Sequence, residues 1–161
     1  MEEFLLFVEK YKNQLVNHAF YRLGDLDEAE DIVQDVFVKV YTQKLFQKIE
    51  KPEHYLYKMV MNVCLDFMRK RQAKLRMQQY FETESQTSLE NEAICNLQIK
   101  EEFIRVNKIL QILPKKQAEV VRLRVIDELS FKEITAILGK SESTIKSRFQ
   151  YAIKKLKNYE L

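Results

Sequence analysis

Glycine and proline punctuate a chain more strongly than any other residues, and this sequence has only two of each in 161 residues. A β-sandwich or barrel needs a turn signal about every eight to twelve residues, which so few breakers cannot supply. The apolar residues recur instead at spacings of three and four, the period of a helix with one buried face. With 46% hydrophobic residues there is enough apolar surface for packed cores. The chain is expected to be all-α: two small helical domains joined by a flexible linker, the C-terminal one a helix-turn-helix domain.

The periodic segments can be placed one after another. A first helix runs from Glu2 to about Leu23 with Phe4, Leu5, Val8, Tyr11, Leu15, Ala19 and Leu23 inward, and Gly24 ends it. Asp25 or Asp27 caps a second helix whose stripe is Ala29, Ile32, Val33, Val36, Phe37 and Val40. Pro52, favourable in a first turn, opens a third helix through Tyr55, Leu56, Met59, Val60, Val63, Leu65 and Phe67 into the basic run RKRQAKLR. From about Met77 to Asn91 the sequence is polar and has little to bury, so the domains are set at 1–76 and 97–161 with a linker at 77–96. The second domain begins with a helix from Leu97 to Leu110, followed by one that Pro114 opens and that carries Val120, Val121, Leu123 and Val125. Ser130 with Glu133 forms a capping box before Ile134, Ile137 and Leu138, and Gly139 suits a left-handed turn. Ser141 then starts a last helix with Ile145, Phe149, Ala152, Ile153 and Leu156 inward.

The net charge of +3 is modest but uneven: residues 1–50, 51–80, 81–113 and 114–161 carry −4, +5, −3 and +5. Two basic blocks separated by acidic ones suggest two anion-facing surfaces and one surface for a basic partner. A helix, a short turn containing glycine, and a helix with small polar and basic outward residues near its start make a helix-turn-helix pattern. Short hydroxyl, amide and lysine side chains there can reach base edges in a major groove, while Arg and Lys hold phosphates. The basic end of the third helix lies near Tyr55, Tyr57 and Phe67, with Phe81 beyond, a combination that suits unstacked single-stranded bases. Glu30, Asp31, Gln34 and Asp35 of the second helix would repel phosphate and fit a basic protein instead.

Catalytic signals are missing. His18 and His54 are the only histidines and form no ligand spacing with Cys64 or Cys95, and two glycines cannot build the usual phosphate loops. No metal, cofactor, small-molecule substrate or enzymatic activity is expected. The opening MEEFLLFVEK reads as a helix rather than an export signal, and no apolar run approaches a membrane span, so a cytoplasmic chain without a structural disulfide is expected.

The stretches GDLDEAEDIVQDVFVKVY, HYLYKMVMNVCLDFMRKRQAKLR and LPKKQAEVVRLRVIDELSFKEITAILGKSESTIKSRFQYAIKKLKN together resemble the extracytoplasmic-function (ECF) group of the sigma-70 family of RNA polymerase sigma factors. Two separate motifs in the family's order cover nearly everything outside the linker. The resemblance implies a monomer that binds the polymerase core and reads promoter DNA, both duplex and single-stranded. It assigns Asp31, Gln34, Asp35 and Val38 to the clamp of the largest polymerase subunit. It assigns Asn62 and Tyr55, with the loop at residues 50–55 and the cations Arg69, Lys70, Arg71 and Lys74, to the opened minus-ten element. Lys132, Ser143, Thr144, Lys146, Ser147, Arg148, Gln150 and Tyr151 would meet the minus-thirty-five element. It also implies a cognate anti-sigma factor. The chain departs from relatives in having Gln150 and Tyr151 where an arginine is common, which leaves the preferred bases open, and Tyr55 where tryptophan is frequent. Competing readings are a helix-turn-helix regulator acting alone on duplex DNA, which leaves the first domain without a role, and a helical adaptor, which leaves the basic last helix unexplained.

Overall fold

A computed structural model describes the backbone of residues 1–80 and 94–159, and every regular element among them is helical. Helix α1 (Glu2–Leu23) has glutamates in its first turn and Arg22 in its last, both favourable to the helix dipole. Gly24 closes it in the left-handed conformation, φ +77°, its N–H donating to the Phe20 carbonyl. A Cβ at Gly24 would lie 2.7 Å from the ring of Phe103 in the second domain, so this glycine serves both the cap and a close approach.

Asp25, rather than Asp27, is the cap of α2 (Leu26–Thr42): its side chain accepts from the Glu28 N–H at 3.0 Å. All six residues of the expected α2 stripe are buried. The chain then makes a single helical turn that the periodicity did not announce, α3 (Leu45–Lys48), entered through Lys44 at φ 55°. Leu45 and Phe46 of that turn pack onto the core, with the Phe46 ring against Phe4 and Phe7. Helix α4 (Pro52–Tyr80) completes the first bundle with α1 and α2.

One expected stripe needs correction. Leu5 lies one position off the face made by Phe4, Val8 and Tyr11 and is exposed. In α4 the buried line is Leu56, Val60 and Cys64 with Tyr57 and Met61 beside it, which turns Tyr55 and Val63 outward. The expected linker also shrinks at both ends. Helix α4 runs to Tyr80 through Met77, Gln78 and Gln79, residue types that favour helix without needing burial, and α5 (Ile94–Leu110) starts before Leu97. The centre of that stretch, residues 81–93 with Phe81, lies outside the described residues.

The second domain continues with α6 (Lys115–Val121), for which Pro114 is the residue just before the helix rather than part of its first turn. A π-helical turn, Arg122–Ile126, shifts the register so that Leu123 is buried and Val125 is exposed. Helix α7 (Phe131–Leu138) has the reciprocal capping box of Ser130 and Glu133, and Gly139 ends it at φ +67°. Helix α8 (Glu142–Lys157) starts at Ser141, whose side chain accepts from the Thr144 N–H.

The two domains pack against each other. Helix α7 lies on α4, the rings of Phe20 and Phe103 meet at 5.7 Å, and Leu123, Leu129, Ile134, Ile137 and Ile145 join the core of α1, α2 and α4. The contact also buries charge. His18 Nδ1–H donates to Asp127 Oδ2 at 2.7 Å, and Arg22 grips Glu119 with both terminal nitrogens, Nη1 to Oε2 at 2.8 Å. Burial is the main force that holds the His18 pKa below its ordinary value of 6.5, with Arg22 and Arg122 adding to it against Asp127. Arg22 is lowered to about 10, chiefly by burial and then by Arg122, and is still charged at neutral pH.

His18 is therefore neutral in the folded chain, whereas the unfolded chain takes up a proton near pH 6.5. Below that pH the unfolded state binds more protons, so stability falls as pH falls toward the folded-state pKa. The melting temperature should drop more steeply between pH 7 and about pH 5.5 in the native chain than in His18→Gln, as followed by circular dichroism. Parallel pH profiles would contradict a buried neutral histidine.

Candidate nucleic-acid interface

Three surfaces were expected, and each can be located. On α2, Asp31, Gln34, Asp35 and Val38 lie within two turns on one face and are all exposed, opposite the buried stripe. Val38, 55% exposed, places an apolar contact among the acids, so this face can receive both a cation and a hydrocarbon from a partner helix.

On α4, Tyr55, Asn62 and Arg69 recur every seven residues and share an exposed face. Val63, exposed beside Asn62, adds apolar surface. The other cations do not all join them. Arg71 turns toward the start of α2 and meets Glu28 at 3.6 Å, and Lys70 pairs with Asp66 at 3.3 Å. Both are surface pairs, of the kind worth about 0–1 kcal/mol, so a phosphate can displace either acid. Lys74 is exposed further along.

On α8, Ser143, Lys146, Ser147 and Gln150 form one exposed row, flanked by the ring of Tyr151. Their presentation is local in origin: the Ser130 capping box fixes α7, Gly139 allows the tight turn, and Ser141 fixes the start of α8. Lys146 reaches Glu142 at 3.3 Å and lies 6.0 Å from the centre of the Phe131 ring. Thr144 departs from the row because its hydroxyl bonds Ser141 at 2.8 Å within the cap. Arg148 lies around the side of α8 and lines a cavity between the domains, while Lys132 is exposed on α7.

Sequence reasoning missed the charged cluster inside the interdomain contact. The Asp127 side chain in it is only 2% exposed. The signal was present in α1: His18 and Arg22 stand one turn apart beside the buried Leu15, Ala19 and Leu23, and a polar pair there calls for buried partners. Cys64 is a free thiol that burial pushes up to about 11, which makes it unreactive. Among the described residues, no group of three or more His, Cys, Asp or Glu is placed to hold a metal, and no helix is long and apolar enough to cross a membrane.

Comparison with known proteins gives a consistent answer. Residues 7–74 match Sigma-70 region 2 and residues 109–158 match Sigma-70 region 4. The ECF RNA polymerase sigma factor SigW of Bacillus subtilis (strain 168) is 30% identical over 152 residues, spanning 88% of this chain and 80% of its own length. RNA polymerase sigma factor SigV of the same organism is 27% identical over 154 residues, spanning 91% and 84%. Two solved structures share the fold. The sigma factor RpoE in complex with the anti-sigma factor NepR from Bartonella quintana superposes with a TM-score of 0.68 at 23% identity, over 98% of this chain and 96% of that one. CnrH in complex with the cytosolic domain of CnrY gives 0.69 at 22% identity, over 96% and 84%.

Asn62 is exposed, so it is not a satisfied core amide. Asn62→Ala should change the unfolding free energy by less than about 0.5 kcal/mol, as measured in urea. A loss of 1–3 kcal/mol, the order expected when a buried amide's partner is left unpaired, would return it to a structural role.

Proposed function

Given that this chain belongs to the ECF group of the sigma-70 family of RNA polymerase sigma factors, which bind polymerase, recognise promoters and are not enzymes, we propose that its surfaces divide the work as follows. The acidic face of α2, with Asp31, Gln34, Asp35 and Val38, docks on the clamp of the largest polymerase subunit. Helix α8 enters the major groove of the minus-thirty-five element with Ser143, Lys146, Ser147, Gln150 and Tyr151 toward the bases, while Lys132 and Arg148 hold phosphates. Helix α4 and the loop at residues 50–55 take the melted minus-ten element, with Asn62 pairing to an unstacked base, Tyr55 stacking, and Arg69, Lys70, Arg71 and Lys74 along the backbone.

The observation that carries this reading is the exposed row on α8, which follows two capped helix starts and a left-handed glycine. A groove-reading helix needs short polar and cationic side chains near its N-terminal end, free of internal partners, and Ser143, Ser147 and Gln150 are exposed there. The acidic face of α2 supports the second half of the assignment, since phosphate would be repelled from it and a basic helix attracted. An anti-sigma factor is a further proposed partner, supported by the same fold in RpoE, solved together with NepR.

Asp31→Arg combined with Asp35→Arg should weaken binding to core polymerase at least about 10-fold while helicity is retained, because charge reversal replaces attraction by repulsion. Unchanged affinity in a titration would overturn the assignment of α2. Asn62→Ala should leave core binding and closed-duplex binding near normal and reduce permanganate-detected melting. Normal melting by the folded variant would move base capture to the loop at residues 50–55.

A further inference from the structure

A cavity of about 650 Å³ lies between α4 and the second domain, and its charge is out of balance. Among the described residues, seven cations line it against a single acid, Glu119, and both oxygens of that acid are already taken by Arg22. We infer that this cavity is a binding site for a small organic polyphosphate of the nucleoside triphosphate class, its phosphates held by the cations and its nucleoside set against an apolar wall.

The cations come from separate elements, so their convergence is a product of the fold and not of one basic helix face. Arg69 belongs to α4, Lys115 and Lys116 to α6, Lys140 to the turn after Gly139, and Arg148 to α8. Among the described residues, no carboxylate pairs with any of these five. Arg22 and Arg122 lie deeper. The Arg22 side chain is only 3% exposed, its two terminal nitrogens hold Glu119, and its buried Nε has no partner. The Nε of Arg122 is buried and unpartnered in the same way, while its Nη2 donates to Asn107. Buried donors without acceptors are costly, and a phosphate oxygen is an acceptor of the matching charge. Burial, and then the charge of Arg122, brings the Arg22 pKa down to about 10, so the two guanidiniums repel and an anion beside them offsets that repulsion. Asp127 acts on Arg122 from outside the cavity, with its carboxylate bonded to His18.

Size and wall chemistry select the ligand class. Small-molecule sites usually span about 300–1,000 Å³. One turn of duplex is about 34 Å long, too large for such a space. Guanidiniums bind phosphate through paired N–H groups, and lysines add compact charges. An inorganic phosphate would use the cations alone and leave half-buried Leu65, Met68 and Leu138 facing water, whereas a nucleoside covers them. Gln72 and Gln111, both exposed at the edge, supply amides for a base, and the planar guanidiniums of Arg69 and Arg148 suit its face.

Calorimetric titration of the full chain with ATP and with inorganic tripolyphosphate, at one fixed ionic strength, tests the site. ATP should bind one to one, about five-fold or more tightly than tripolyphosphate, and should raise the melting temperature. The triple variant Lys115→Gln, Lys116→Gln, Lys140→Gln, at three exposed positions, should weaken ATP binding about 10-fold with helicity unchanged. Removing the same charge from the last turn of α8, with Lys154→Gln, Lys155→Gln and Lys157→Gln, should change it less than about two-fold. In the native chain, 8-azido-ATP should label peptides covering residues 65–72 or 138–148. Failure of ATP to bind would overturn the site, and tripolyphosphate binding as tightly as ATP would overturn the nucleoside class. Equal losses in the two triple variants would reduce the binding to general attraction between anions and a basic chain. Labelling confined to other peptides would overturn the site even if the cavity variant failed to fold.

Discussion

Arg22 and His18 stand in α1 beside positions that its period reserves for apolar side chains, and each is almost fully buried. An ionised guanidinium cannot occupy such a place alone, because the cost of desolvation exceeds what packing of its methylenes returns. The requirement is met from far along the sequence: Glu119 takes both ends of the Arg22 fork and Asp127 takes His18. To deliver those two acids, the second domain needs α6 to face α1, a π-helical turn after it, and Glu128 in a left-handed conformation. The packing of α7 on α4, and the seating of Phe103 over Gly24, belong to the same docked arrangement.

The local architecture was legible because it is written in short-range chemistry. The α2 stripe, the capping box at Ser130 and Glu133, and the left-handed glycines at 24 and 139 each follow from neighbours within a turn, and each stands as expected. Errors arose where burial depends on a distant element. Leu5 fits a helical period, but no second helix covers it. Helix α3 is a single turn, too short to show a period at all. The π-helical turn that exposes Val125 cannot be seen by counting threes and fours.

The same distinction separates the proposed surfaces from the buried interdomain pairs. Exposure on a regular helix can be read from spacing, so the α2 face and the α8 row emerge with their residues already together. Thr144 and Arg148 leave the row for reasons spacing cannot give, a hydroxyl drawn into the Ser141 cap and a guanidinium drawn into the interdomain cavity. The buried pairs were hidden because their halves lie far apart in sequence. Their one local trace, a histidine and an arginine within a buried stripe, shows that something must pair with them without showing what. The exposed faces are thus encoded in the pattern along single helices and the buried charge in long-range pairing between domains.

Promoter-dependent transcription with purified core polymerase, scanned over a library of promoter sequences, tests the central claim most directly. Transcripts that depend on this chain and start downstream of two sequence motifs about 25 base pairs apart, roughly 80 Å along the duplex, are the predicted result. Dependence on a single motif, or no transcripts beyond those of core polymerase alone, would contradict a factor that reads one element with α8 and opens the other with α4.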